Sequence, residues 1–267
     1  MGDARAEAPM AVTIAIANQK GGVGKTTTTS NLATTLARAG LSVLVVDCDP
    51  QSNLTSAFGV ERVMDMTLAD ALLDRKIELP RYRVEDPMGS SVDVVPATPE
   101  LASVETSLQT KLGREMRLRD HILRVSDKYD FVFFDTPPSL GVLTLNALVA
   151  SEWVIIPTEA RFFSLQGLQM LTQSIEEVTF LNPQLRVLGI VLSKLDRRLR
   201  EEKTVAKYLR DRWGTSVFDT DIPTNSKILE AASSGTSIFA ADSKDSGARR
   251  AVKAYETLAA EVRTRAA

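Results

Sequence analysis

An α/β fold, with one mostly parallel, twisted sheet and helices on both faces, is predicted by three features of this 267-residue sequence. Short apolar, β-branched segments alternate with longer segments whose apolar residues recur at helical spacing, as in proteins that bury a parallel sheet between helices. Hydrophobic residues make up 44% of the chain, enough for one core of ordinary size. No repeat, low-complexity tract or proline-rich linker divides the chain. We therefore expect a flexible tail over residues 1–10 and one domain over residues 11–267.

The individual elements follow from these patterns. The predicted strands are Val12–Ala17, Ser42–Asp47, Val92–Pro96, Phe131–Asp135, Trp153–Pro157 and Val187–Ser193. The predicted helices are Thr26–Ala39, Pro99–Lys111, Met116–Lys128, Leu140–Ala150, Ser164–Phe180, Glu201–Trp213 and Ala248–Arg265. The region Glu61–Ser91 is the least regular, and we expect a short helix, Leu68–Leu73, followed by a polar loop.

A glycine-rich loop lies between the first strand and the first long helix. Residues 18–28 read Asn-Gln-Lys-Gly-Gly-Val-Gly-Lys-Thr-Thr-Thr. The order of strand, glycine loop and helix is the context of a phosphate-binding P-loop, in which glycines turn backbone N–H groups toward a polyphosphate. Lys25 would reach the terminal phosphates, and the Thr26 hydroxyl can bind Mg²⁺. The predicted nucleoside-triphosphate site comprises Gly21, Gly22, Val23, Gly24, Lys25, Thr26 and Thr27.

The loop carries a second lysine. Lys20 stands directly before the double glycine, and Gln19 occupies the position where the usual P-loop begins with glycine. A lysine here cannot easily fold back onto the phosphates that Lys25 already contacts. It is better placed to project toward a nucleotide held by a second subunit.

Two further strands end in aspartate. Asp47 ends one strand, and Asp49 lies two residues further on. Asp135 ends another strand and is followed directly by the stiff turn Thr-Pro-Pro-Ser. Ligands of open α/β sheets sit at the carboxyl ends of strands. Strand alternation predicts that Asp47 and Asp49 lie on the same side, where either can hold Mg²⁺ through water or orient the attacking water. Asp135 is expected to meet the Mg²⁺ shell.

These motifs resemble those of the ParA/MinD family of dimerising ATPases. The resemblance is carried by the deviant Walker A motif Lys-Gly-Gly-Val-Gly-Lys-Thr-Thr, by Asp-x-Asp-Pro-Gln and by the Asp-x-Pro-Pro-Ser element of partition ATPases. It implies that ATP and Mg²⁺ are the cofactors and that two subunits form an ATP-sandwich homodimer. Lys20 would then reach the partner's phosphates and act with Lys25 and Asp49 in hydrolysis. The resemblance leaves Asp47 as a group around Mg²⁺ or a structural one, and places Pro223 over the adenine.

The base is expected to be adenine. The segment Val191–Asp196 is only partly similar to the guanine-reading Asn-Lys-x-Asp signature, because Ser193 takes the place of asparagine. ATP is therefore preferred to GTP.

A net charge of −2 means that any DNA binding must come from a local basic patch. In chromosomal relatives, arginines that touch DNA lie in a segment that reads Ile-Pro-Thr-Asn-Ser-Lys here, with Thr224 in place of the first arginine and Lys227 in place of the second. Ordinary exposed helix charges are the alternative interpretation. The candidate DNA-binding residues, of which Arg198 is the first choice, are Arg197, Arg198, Arg200, Lys203, Lys227, Arg249 and Arg250.

The sequence as a whole resembles a ParA/Soj-type partition ATPase. The resemblance implies non-specific binding to double-stranded DNA, release after hydrolysis, stimulation by a ParB-like centromere-binding protein, and a cytoplasmic, nucleoid-associated location without membrane contact. The single cysteine, Cys48, fits a reducing compartment.

Three alternatives stay open. One is a MinD-like membrane-cycling ATPase, although the last helix has the composition of a packing helix. Another is a ParA-like ATPase that positions a non-DNA cargo. The third is a metabolic P-loop enzyme such as a cobyrinate-type amidase or a dethiobiotin synthetase, for which no added substrate motif is present.

Overall fold

The computed structural model describes residues 10–86, 88–162, 164–234, 236–240 and 244–267. In these residues a seven-stranded sheet has the order β3-β4-β2-β5-β1-β6-β7. The strands are β1 (Val12–Ile16), β2 (Val43–Asp47), β3 (Tyr82–Glu85), β4 (Ser91–Val95), β5 (Phe131–Asp135), β6 (Trp153–Glu159) and β7 (Arg186–Ser193). Only the edge pair β3–β4 is antiparallel among the described strands, so the fold prediction is confirmed.

Helices connect these strands and cover both faces of the sheet. The helices of the described residues are α1 (Lys25–Arg38), α2 (Asn53–Ala57), α3 (Leu68–Leu73), α4 (Leu101–Leu108), α5 (Arg117–Ile122), α6 (Val142–Val149), α7 (Ser164–Val178), α8 (Arg200–Trp213), α9 (Ser226–Ser233) and α10 (Ser246–Ala266).

Two apolar layers sandwich the sheet, as the alternation along β1 shows. Ile14 belongs to the layer that contains Leu32 of α1 and Leu258 of α10. Its neighbour Ala15 belongs to the opposite layer, with Leu143 of α6. Because successive side chains of a strand point to opposite faces, a strand that is buried on both faces must be apolar throughout. This burial holds the carboxyl ends of β1, β2, β5, β6 and β7 at one edge, where the site lies.

The apolar face of α10 is used inside the molecule. Tyr255, Leu258 and Val262 are fully or almost fully buried, and α10 packs along α1. The expectation of a packing helix is therefore confirmed. Within the described part of the chain, every helix is too short or too polar to cross a bilayer.

The polar loop that was predicted after Leu68–Leu73 is wrong in part, because β3 lies there. Tyr82 and Val84 of β3 face Val94 and Val92 of β4 across the antiparallel pair. The residues between and after them, Arg83 and Glu85, are exposed. An edge strand of four residues with charges on its outer side resembles a loop in composition, which explains why the sequence pattern predicted a loop here.

The predicted helix Met116–Lys128 is also wrong in its extent. The α-helix ends at Ile122, and the next turns tighten to i→i−3 bonds, with Arg124 N donating to His121 O at 3.2 Å and Val125 N to Ile122 O at 3.0 Å. Tightening the end of a helix in this way redirects the chain toward the following strand.

Helices α2 and α9 were not predicted. Most of the predicted tail, residues 1–9, lies outside the described residues, so the tail stays a prediction.

Candidate active site

The loop between β1 and α1 has the backbone that phosphate binding requires. Gly22 and Gly24 have φ values of 75° and 91°, in the left-handed region that favours glycine. No atom outside the adjacent residues lies within 4 Å of a Cβ built at Gly21 or Gly22, so the space beside the loop is open. The loop therefore forms a cradle at the N-terminus of α1.

Two hydrogen-bond donors at the end of β7 bond the carbonyl groups of this loop. Ser193 Oγ donates to the carbonyl of Val23 at 2.7 Å, and Lys194 Nζ donates to the carbonyl of Gly22 at 2.5 Å. Sequence reasoning gave Ser193 no role beyond its place in a guanine-type signature, and it gave Lys194 none. Their position at the carboxyl end of a strand is the only signal that could have indicated them.

A cavity of about 490 Å³ lies in front of the loop. The predicted residues that line it are Gly21, Gly22, Gly24, Lys25, Thr26, Thr27 and Asp49. The lining residues that were not predicted are Ser30, Gln51, Asn53, Ser56, Ala57, Pro138, Lys194 and Leu229. The loop and the segment that follows β2 thus face the same space.

A smaller, mostly apolar cavity of about 90 Å³ adjoins the first one. Ile222, Pro223, Ile228 and Tyr255 line it, and Leu229 lines both cavities. A polar cradle next to an apolar slot suits a nucleotide, whose phosphates need donors and whose base needs flat apolar contacts. Pro223 thus lines the slot that suits a base, and its contact with adenine stays a prediction.

Lys25 is the buried cation of the cradle. Its side chain lines the larger cavity, and 7% of the residue is exposed. Burial lowers the pKa of Lys25, and the negative charges of Asp135 and Asp49 oppose this shift. An ammonium group with few water contacts is a strong electrostatic partner for a phosphate.

Asp135 and Thr26 form the part of the site that fits Mg²⁺. Thr26 Oγ1 donates to Asp135 Oδ2 at 2.6 Å, and Thr29 Oγ1 donates to Asp135 Oδ1 at 3.3 Å. Burial, together with the charge of nearby Asp47, raises the pKa of Asp135 to about 8. A divalent cation would compensate this buried carboxylate. Mg²⁺ prefers oxygen ligands and typically uses one or two protein groups together with phosphates and water.

The donor set agrees with such a shared ion. Among the described residues, no group of three or more His, Cys, Asp or Glu side chains is arranged to hold a metal by itself. The hydroxyl of Thr26 and the carboxylate of Asp135 can therefore supply only part of a coordination shell. The phosphates of a nucleotide in the cradle would supply more of it.

Asp47 and Asp49 have different surroundings, because Asp47 is held by hydrogen bonds of its own chain whereas Asp49 lines the larger cavity. The prediction that strand alternation puts them on the same side stays a prediction. Strand β2 ends at Asp47. Asp47 Oδ2 accepts from the backbone N and the hydroxyl of Thr55 at 2.9 and 2.7 Å, and its Oδ1 accepts from Asp49 N at 3.1 Å. Burial raises the pKa of Asp47 to about 6. These bonds favour the structural role, because they fix the turn from which Asp49 faces the cavity.

Lys20 lies outside the lining of both cavities and pairs with its own chain. Its Nζ lies 2.8 Å from Glu159 Oε2, and 46% of its side chain is exposed. Glu159, whose side chain is 13% exposed, also lies 3.6 Å from Arg161 and 3.9 Å from Lys194. Sequence reasoning did not identify Glu159, because the pairing joins residues 139 positions apart.

The predicted basic residues occupy three segments that the fold joins. Residues 197–203 follow β7 and begin α8, Lys227 lies in the first turn of α9, and residues 249–250 lie near the start of α10. A bridge between Leu195 and Pro223 connects the first segment to the chain before α9. Asn225 Nδ2 donates to Gly247 O at 2.7 Å and connects α9 to α10. We call these three segments the basic segments.

Acidic neighbours compensate part of their charge. Arg198 makes a two-pronged contact with Asp196, with a shortest distance of 2.6 Å. Arg197 pairs with Asp221 at 2.6 Å, and Lys227 pairs with Glu230 at 2.6 Å. Hydrogen bonds from Arg198 lower the pKa of Asp196 to about 2. The pairs of Arg198 and Lys227 are exposed and therefore weak, so a phosphate can replace the carboxylate there at small cost.

Similarity to known proteins is extensive. Residues 11–187 match the family model described as AAA domain. The chain is 41% identical over 264 residues to the chromosome partitioning protein ParA of Caulobacter vibrioides, covering 94% of each chain. It is 40% identical over 257 residues to the sporulation initiation inhibitor protein Soj of Bacillus subtilis, covering 93% of this chain and 97% of that protein.

A solved structure shows the same fold with a bound nucleotide. Cobyrinic acid a,c-diamide synthase from Mycobacterium smegmatis, with bound ADP and magnesium, superposes with a TM-score of 0.74 at 33% identity. The match covers 85% of this chain and 91% of that one.

Proposed function

Because the chain belongs to the ParA/MinD family of P-loop ATPases, we propose that it is a DNA-partition ATPase that works as an ATP-dependent dimer. The chain is an ATPase, and its cofactors are ATP and Mg²⁺. The proposal concerns the finer steps: assembly of a nucleotide-sandwich homodimer, non-specific DNA binding by that dimer, and release from DNA after hydrolysis.

One observation carries the dimer proposal. The ammonium of Lys20 is half exposed beside the phosphate cavity, held by Glu159 and absent from the lining of that cavity. Lys25 already supplies the buried cation of the cradle. A second lysine in this position suits the phosphates of a nucleotide on a facing subunit, where it would add positive charge to the transition state.

The chain's own residues then divide the reaction between them. Bound Mg²⁺ supplies charge neutralisation at the phosphates, and Thr26 and Asp135 would hold it. Lys25 neutralises charge on the terminal phosphates, and the loop N–H groups orient them. Asp49, which lines the same cavity, orients the attacking water. Lys20 of the facing subunit completes the site, so hydrolysis requires the dimer.

The basic segments are our candidate DNA surface. Dimerisation doubles the number of phosphate contacts that one particle can make, and DNA affinity depends steeply on that number. Residues at the surface of α8, α9 and α10 contact phosphates, not base edges, so we expect binding without sequence preference. We further propose that a ParB-like protein stimulates hydrolysis, and that the protein acts in the cytoplasm on the nucleoid.

A metabolic synthetase is the second candidate, since the M. smegmatis enzyme is 33% identical to this chain. The two candidates differ in DNA binding and in the role of the dimer. The ParA match extends over more of the chain and at higher identity, which favours partition.

Co-sedimentation with DNA tests the proposal. Purified protein is mixed with non-specific duplex DNA and Mg²⁺, with ATP, with ADP or with no nucleotide, at several salt concentrations. The partition proposal predicts sedimentation only with ATP and a steep loss of binding as salt rises. Equal binding in all three nucleotide states, or no binding with ATP, would contradict it.

A further inference from the structure

Lys194 has an unusual backbone that directs its side chain back to the phosphate loop. Its φ of 53° lies in the left-handed region, which a non-glycine residue adopts only where its surroundings impose it. Thr224 Oγ1 donates to Lys194 O at 2.6 Å, and Leu195 N donates to Ile222 O at 3.0 Å. These bonds fix the turn after β7.

The first contact of the Lys194 side chain is with the loop. Its Nζ donates to Gly22 O at 2.5 Å, and the preceding residue, Ser193, donates to Val23 O at 2.7 Å. Two consecutive loop carbonyls thus accept hydrogen bonds from the end of one strand. The N–H groups of the loop remain available to a phosphate in the cavity. A charged donor makes a stronger bond than a neutral one, so Lys194 is the firmer of the two supports.

The second contact is with Glu159, which also holds Lys20. Glu159 Oε2 lies 2.8 Å from Lys20 Nζ, and Glu159 Oε1 lies 3.9 Å from Lys194 Nζ. Glu159 is mostly buried. If Lys20 moves to a nucleotide on a facing subunit, Glu159 loses its nearest cation, and leaving a buried charge without a partner is costly. Lys194 remains within reach of Glu159 after that movement, as does Arg161.

We propose that Lys194 is a positioning residue with two linked roles. It fixes the phosphate loop through the carbonyl of Gly22, and together with Arg161 it remains a counter-ion of Glu159 when Lys20 leaves for the second nucleotide. The first role concerns ATP binding by a single subunit and is independent of dimerisation. The second role rests on the proposed function.

Lys194→Met tests the first role, because methionine keeps a linear stem and removes the charge. We expect the affinity of the single subunit for a fluorescent ATP analogue to fall roughly tenfold, the loss of one charge-assisted hydrogen bond. Lys194→Arg should restore part of that affinity. Lys207→Met is the matched control, since Lys207 is an exposed lysine of α8 that pairs with Asp211. ATP affinity of Lys194→Met within twofold of wild type would overturn the first role.

The double variant Lys194→Met/Glu159→Gln tests the second role. At saturating ATP, Lys194→Met alone should dimerise roughly tenfold more weakly than wild type. Without Lys194, Glu159 keeps only the exposed Arg161 as a counter-ion when Lys20 leaves, so it holds Lys20 more tightly. Glu159→Gln removes the charge that needs a counter-ion, so the double variant should regain dimerisation while its ATP affinity stays low. Normal dimerisation of Lys194→Met at saturating ATP, or no recovery in the double variant, would overturn the second role.

The outcomes separate the proposals. If wild type itself fails to dimerise with ATP, the proposed function is wrong and the second role fails with it. The ATP affinity of Lys194→Met still decides the first role in that case.

Discussion

The nucleotide site and the basic segments are both rich in charge, but they are built differently. In the nucleotide site, charged groups are buried and fixed by residues distant in sequence, such as Asp135 by Thr26 and Thr29. In the basic segments, the Arg198 side chain is 90% exposed and pairs with a residue two positions away. The fold therefore specifies the geometry of the first region, whereas in the second it specifies mainly the density of charge.

The difference predicts two kinds of response to substitution. Changes in the nucleotide site should be large and specific to one step, because each group has a fixed place and defined partners. Changes in the basic segments should be graded and additive, because exposed charges act collectively and are screened by salt.

Lys25→Ala should have the largest effect. It removes the buried cation that faces the phosphates, and we expect ATP affinity to fall about a hundredfold or more. Isothermal titration with ATP and Mg²⁺ measures this, with Lys76→Ala, an exposed lysine outside both regions, as the control. ATP affinity close to wild type would show that the cradle is not used as described.

Asp49→Ala should separate binding from hydrolysis. If Asp49 orients the water without holding the nucleotide, the hydrolysis rate should fall about a hundredfold or more while ATP still binds. The ATP-bound variant should remain dimeric and stay on DNA. Phosphate release and sedimentation measure the two effects. A variant that stays monomeric with ATP would instead assign Asp49 a structural or Mg²⁺-holding role.

Arg198→Glu with Lys227→Glu should give the graded response of the basic segments. Each phosphate contact adds roughly 0.9 to the slope of log affinity against log salt on duplex DNA, and a dimer loses the contacts of both subunits. We expect DNA affinity to fall roughly thirtyfold at moderate salt, with a shallower slope and unchanged ATP binding. Fluorescence anisotropy measures both quantities, and Lys76→Glu is the control. Wild-type binding by the double variant would place the DNA surface elsewhere.

Thr55→Val should have a smaller effect, which is measured on stability. The Thr55 hydroxyl is fully buried, donates to Asp47 and accepts from Ala97 N at 2.9 Å. Valine keeps the shape and leaves both partners short of a bond, so the free energy of unfolding should fall by about 1–2 kcal/mol. Urea unfolding measures it. Thr257→Val, at an exposed position of α10, should change stability by less than about 0.5 kcal/mol.

The same contrast explains which parts of the structure the sequence predicted. β5 was predicted to its exact bounds because a strand buried on both faces must be apolar throughout. The loop residues followed from local glycine and lysine spacing. Short, half-exposed elements such as β3 and α9 lack such a pattern, since their position depends on neighbours distant in sequence.

Long-range pairing also limits what could be predicted of the site. The partners of Lys20 and Gly22, Glu159 and Lys194, lie 139 and 172 positions away and belong to no local motif. The different contacts of Asp47 and Asp49 depend on where β2 ends and on the hydroxyl of Thr55. Only the folded chain determines these contacts.

The dimer that depends on Lys20 is tested most directly by the mass of the ATP-bound protein with and without that lysine. Light scattering after gel filtration compares Asp49→Ala with Lys20→Ala/Asp49→Ala, both in ATP and Mg²⁺, so that slow hydrolysis does not remove the nucleotide. We predict that Asp49→Ala has twice the subunit mass, and that the double variant binds ATP nearly as well but elutes mainly as a monomer. Equal masses for the two proteins in ATP would contradict a dimer that depends on Lys20.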